Sequence, residues 1–63
     1  MNLLKKWRYA LRPRTYEICI MRDRGFSYRE IGELHGWSPQ NAFTLIQRAW
    51  ARIEKLEKED SHA

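Results

Sequence analysis

Residues 27–46, SYREIGELHGWSPQNAFTLI, decide how this chain is read. Ser27 stands three residues before Glu30, the S-x-x-E spacing of a capping box, so a helix starts at Tyr28. Ile31 and Leu34 give that helix one apolar stripe. Gly32 carries no side chain where a second helix must cross closely, and Gly36 is placed to adopt the left-handed conformation that ends the helix. Trp37 fills the corner. Ser38 then caps the next helix, with Pro39 at its first position, where a missing N–H costs nothing. Two helices joined by a tight glycine turn predict a helix-turn-helix. A second helix launched steeply from the first, and polar at its start, suits the major groove of DNA.

Working outward, Gly25 stops a helix predicted at about Arg14–Arg24. In it Ile18 and Met21 face the core, and Cys19 and Ile20 continue the apolar run. Phe26 is an apolar residue ahead of the Ser27 cap, positioned to staple onto Ile31. Pro13 separates this helix from a first one at about Leu3–Leu11, where Leu3, Leu4, Trp7 and Leu11 share a face that covers Cys19 and Ile20. The last helix is predicted over Pro39–Lys58. Its Ala42, Ile46, Ala49, Ile53 and Leu56 follow the spacing of a heptad seam. Ala42, Leu45, Ile46 and Ala49 are needed against the other helices. Ile53, Leu56 and one side of Trp50 run past what so small a domain covers, which favours a homodimer through Trp50, Ile53 and Leu56. The alternative is that the first helix folds back, with Leu4 and Trp7 covering this surface in a monomer. The expected fold is all-α, a small four-helix domain containing a helix-turn-helix with a long C-terminal recognition helix. It forms one domain over 1–63: a basic N-terminal helix at 1–12, a core at 13–58 and a frayed tail at 59–63.

Sixty-three residues allow one marginal core, and Cys19, the only cysteine, offers no disulfide to support it. A lone cysteine suits a reducing compartment, hence a cytoplasmic protein, and reads as a small buried hydrophobe. No apolar run approaches the ~20 residues that span a bilayer, so no membrane partner is expected. Cys19, His35 and His62 lack metal-ligand spacing. There is no Gly-rich phosphate loop, and His35 has no nucleophile or acid patterned beside it. No metal, no cofactor and no enzymatic activity are expected. The net charge of +4 fits a polyanionic partner. Residues 1–14 hold Lys5, Lys6, Arg8, Arg12 and Arg14 with no acid, whereas residues 15–47 carry a net −1 and residues 48–63 balance. The N-terminal cations serve either DNA affinity or a solvated face.

The span Leu11–Leu56 resembles region 4 of bacterial sigma-70-type sigma factors, through LRPRTYEICIMRDRGFSYREIGELHGWSP and on to QRAWARIEKL. The scaffold positions that carry the resemblance are Leu11, Ile18, Met21, Gly25, Ser27, Tyr28, Glu30, Ile31, Gly36, Arg48, Ala49 and Ile53. LuxR-type DNA-binding domains share part of this pattern, as do small phage helix-turn-helix proteins, including some small terminase subunits. The resemblance implies backbone anchoring by Tyr28, Arg29 and Arg48. It does not imply the family's −35 specificity, because the matching start of the last helix holds Pro39, Gln40, Phe43 and Thr44 instead of a charged set. Promoter opening, which sigma factors perform with other domains, is not implied either. Small size and the resemblance together suggest a phage or mobile-element origin.

The residue chemistry points the same way. Gln40, Asn41, Thr44 and Gln47 project from the face that the apolar seam does not use. Asn and Gln bond bidentately to adenine and Thr meets a thymine methyl, so the surface leans towards A·T, although polar residues are also the default on an exposed face. Phe43 covers the turn, touches thymine methyls or marks a protein-binding surface. Phosphate contacts are expected from Lys5, Lys6, Arg8, Arg12 and Arg14, from Ser27, Tyr28, Arg29 and Ser38 at the helix starts, and from Arg48 and Arg52. Arg52 has a competing role in pairing with nearby glutamates. The leading expectation is a sequence-specific regulator of transcription that binds duplex DNA. One alternative is a sigma-like module that binds RNA polymerase or a sigma factor; another is the DNA-binding subunit of a phage packaging or recombination assembly.

Overall fold

The computed structural model describes residues 3–61, and every element among them is helical. α1 is Leu3–Lys6, followed by a 3-10 turn at Arg8–Ala10; α2 is Pro13–Asp23, α3 is Tyr28–His35 and α4 is Pro39–Ser61. Proline at the first position of α2 forces the residue before it out of the helical region, and Arg12 is accordingly extended at φ −66°, ψ 149°. The C-terminus of α2 closes with paired bonds from Phe26 N–H to the Met21 carbonyl and from Gly25 N–H to the Arg22 carbonyl, each 3.1 Å.

Leu4, Ile18, Cys19, Ile31, Ala42, Ile46, Ala49 and Ile53 form one buried cluster to which every helix contributes. Full burial of a Leu or Ile side chain stabilises by roughly 1.5–3 kcal/mol, so the five in this cluster are the main source of stability in a chain this short. Among the described residues no polar or charged side chain is buried. No helix among them is long and apolar enough to cross a membrane.

Four expectations are corrected. The first helix does not run to Leu11. It breaks at Trp7 (φ −102°, ψ 21°), tightens into the 3-10 turn and leaves Leu11 extended ahead of the Arg12–Pro13 step. Residues 1–2 of the expected basic helix lie outside the described residues. Leu34 is not in the apolar stripe of α3: it is 66% exposed. The stripe is Tyr28, Ile31, Gly32 and His35, spaced i, i+3, i+4, i+7, which turns Leu34 onto the flank beside Phe26. The tail does not fray at 59. α4 continues to Ser61 because Lys6 holds Asp60 and Glu57, and Lys58 pairs with Glu54 one turn back. Residues 62–63 of the expected tail lie outside the described residues. Finally, Ile53 is not surplus. It is fully buried within the single chain, in the cluster that includes Leu4, with Leu3 and Trp7 packed against it. Trp50 and Leu56 remain half-buried.

Candidate nucleic-acid interface

α3, the following turn and the start of α4 form one hydrogen-bonded unit. The Ser27 hydroxyl accepts from Glu30 N–H at 3.1 Å while the Glu30 carboxylate accepts from Ser27 N–H at 2.9 Å. Donation by the Ser27 backbone, then by its side chain, holds the Glu30 carboxyl below its ordinary value. At the other end Gly36 adopts φ 74°, ψ 27°, and Trp37 N–H donates to the Gly32 carbonyl at 2.8 Å. A side chain on Gly32 would place its Cβ 2.5 Å from the Trp37 carbonyl oxygen. The close approach is therefore to the backbone of the turn, where the sequence suggested a crossing helix. Trp37 stacks on His35 with ring centroids 4.7 Å apart. Ser38 Oγ accepts from Asn41 N–H at 3.2 Å and starts α4.

α4 buries Ala42, Ile46, Ala49 and Ile53, and the expected base-reading residues occupy its other side. Gln40, Asn41 and Gln47 are exposed. Thr44 is half-buried, and its hydroxyl accepts a long hydrogen bond from Gln40 Nε2 at 3.4 Å. Phe43, 40% exposed, packs edge-on against Tyr28 at 5.1 Å between centroids. Tyr28 also lies 4.5 Å beneath the Arg22 guanidinium, which donates to the Phe26 carbonyl at 3.0 Å. Arg22, Tyr28 and Phe43 thus tie α2, α3 and α4 together at one point. The role of Arg22 was not legible in the sequence, because nothing local marks a cation in the last turn of α2 as the partner of a ring beyond the next turn.

The expected phosphate contacts separate into committed and uncommitted groups. Ser27 and Ser38 hold their caps, and Arg29 pairs with Glu33 at 3.3 Å. Lys6 donates to Glu57 at 3.0 Å and to Asp60 at 3.1 Å, and those bonds, Glu57 first, raise its pKa above the ordinary lysine value. Trp7 Nε1 donates to the other Glu57 oxygen at 2.6 Å, and this bond, followed by Lys6, holds the Glu57 carboxyl below its ordinary value. Arg8 lies 5.7 Å over the Tyr16 ring. Lys5, Arg12, Arg14 and Arg48 are exposed, and Arg52 donates its Nε–H to the Ala10 carbonyl at 3.2 Å instead of pairing with a glutamate.

Among the described residues no group of His, Cys, Asp and Glu is placed to hold a metal ion. Burial pushes the Cys19 thiol up to about 11, which leaves it un-ionised and unreactive at neutral pH. Comparison with known protein families, curated proteins and solved structures finds no match to this chain.

Proposed function

We propose that this chain is a helix-turn-helix protein of the sigma-region-4-like kind, a sequence-specific regulator of transcription that binds duplex DNA with the start of α4 in the major groove. The observation that carries this reading is the unit from Ser27 to Ser38. Two side-chain caps and a left-handed Gly36 launch α4 so that Gln40, Asn41 and Gln47 stand exposed, opposite its buried seam. An α-helix about 10–12 Å across with its side chains fits a major groove about 12 Å wide, and the exposed residues among 40–47 lie at the start of α4. The backbone N–H groups at the start of α3, beside Tyr28 and Arg29, then lie across a phosphate strand.

Selection of bound duplexes from a random library, followed by a salt titration of the winner, tests this reading. A recovered consensus, lost when Gln40, Asn41 and Thr44 are all changed to Ala in a protein that still folds, supports it. An unchanged sequence preference in that variant removes α4 as the reading element.

A second reading, a module that binds RNA polymerase or a sigma factor, draws on the exposed apolar groups Phe26, Leu34 and Phe43. Its mark is tight binding to such a protein with no salt-dependent affinity for duplex DNA.

A further inference from the structure

Arg12 and the pair Arg48 and Arg52 are at least 36 positions apart in sequence, yet all three line one surface groove of about 390 Å³ between the segment ahead of α2 and the flank of α4. Thr15, Leu45 and Ala49 also line it, and no carboxylate does. Elsewhere this protein spends its cations: Lys6 on Glu57 and Asp60, Arg29 on Glu33, Arg22 on Tyr28 and a carbonyl. Among the described residues Arg12, Arg48 and Arg52 form no ion pair. The Ala10 carbonyl fixes Arg52 through Nε and leaves its Nη groups to a ligand. Arg48 stands one turn earlier, about 6 Å along the axis.

Three guanidinium groups around one groove repel one another until an anion enters. Their planar forks match carboxylate and phosphate oxygens alike, and the successive phosphates of a polyanion, unlike a lone carboxylate, engage all three at once. We infer that this groove is a phosphate site assembled from both ends of the sequence, with Arg12 supplied by the linker and Arg48 and Arg52 by α4. The DNA backbone as the source of that phosphate rests on the function proposed above. With residues 40–47 filling the major groove, Arg48 and Arg52 follow directly along the helix, where a strand borders that groove. The same chemistry would hold a free polyphosphate.

The test uses the full chain and two probes. In the first, inorganic pyrophosphate is titrated while the arginine Nε–H resonances are followed by NMR. Those of Arg12, Arg48 and Arg52 are expected to move on one saturating curve, with Arg14 and Arg24 off it. Arg12→Gln should weaken that curve about tenfold, the loss of a charge-assisted pair. In the second, duplex DNA is titrated across salt. Arg12→Gln should lower the slope of log K against log salt by about 0.9, with Arg24→Gln, the same charge change outside the groove, having a smaller effect.

Independent drift of the three resonances overturns the site, as does an Arg12→Gln variant indistinguishable from Arg24→Gln with both probes. Saturation by pyrophosphate with an unaltered DNA slope upholds the site and assigns it to free polyphosphate. Failure of the wild-type chain to bind any duplex overturns the proposed function, and the pyrophosphate curve alone then decides the groove.

Discussion

The two halves of α4 are built for different work. In the second half, Ile53 is fully buried and Glu57 is bonded by Trp7 and Lys6, so an apolar and a polar residue are both tied to the N-terminal segment or the core. In the first half the apolar seam is equally buried at Ala42 and Ile46, but the polar face opposite is left to solvent, its internal contact a 3.4 Å bond between Gln40 and Thr44. A single helix thus keeps its fixed polar contacts at one end and its adaptable ones at the other. The contrast teaches that exposure of polar residues on α4 is informative only where the intramolecular partners are missing. Glu57 and Gln47 look alike in the sequence and are opposites in the fold.

The contrast can be broken most forcefully at Ile53. Ile53→Ala is expected to cost about 2–5 kcal/mol of stability, read by chemical denaturation, because it empties a fully buried site. A loss below 1 kcal/mol would mean that the second half is not anchored as described. Asn41→Ala is the counterpart in the first half. It should cost about 1–3 kcal/mol in discrimination between the selected duplex and a scrambled one, with the melting temperature nearly unchanged. A fall in melting temperature without loss of discrimination would assign Asn41 to the fold.

Gly32→Ala sharpens the comparison at the turn that sets the first half of α4. Helix propensity alone favours Ala by about 1 kcal/mol. The added Cβ meets the Trp37 carbonyl oxygen at 2.5 Å, and forcing that backbone aside costs about 1–3 kcal/mol, so net destabilisation is expected in thermal unfolding. Stabilisation would show that the turn yields.

The smallest effect concerns pH. Glu57 and Glu30 both have lowered pKa values in the folded chain. Their contribution is therefore complete above the ordinary carboxylate range and is lost as pH falls through the lowered folded values. Unfolding followed from pH 7 into that acidic range should show declining stability, with a shallower decline in Glu57→Gln. Identical pH profiles for that variant and the wild type would remove the Trp7–Glu57 contact from the energetics.

The part of the fold that the sequence makes legible is the part specified by neighbours. Ser27 and Glu30 are three residues apart, and Gly36, Ser38 and Pro39 act on backbone within one turn of themselves, so α3, the turn and the start of α4 are where local chemistry puts them. The parts that escape depend on contacts across the chain. α1 ends at Lys6, and Trp7 just beyond it gives its indole N–H to Glu57, fifty positions away. Ile53 reads as surplus until Leu4 is known to join its cluster. The same holds at the candidate interface. Each cation is visible as a charge, but whether it meets a glutamate, as Lys6 does, or lines a shared groove, as Arg12 does, is a property of the packing. Periodicity alone places Gln40, Asn41 and Gln47 on the exposed side of α4, whereas Thr44 is half-buried and the packing of Phe43 on Tyr28 is a contact between helices that no local pattern signals.

α4 runs from Pro39 to Ser61 without interruption, 23 residues or about 35 Å, nearly the 40 Å length of the molecule. The Glu57 contact with Trp7 and the exposed Asn41 therefore sit on one continuous rod, about 24 Å apart along its axis, so the N-terminal segment and the polar start of α4 keep a fixed separation.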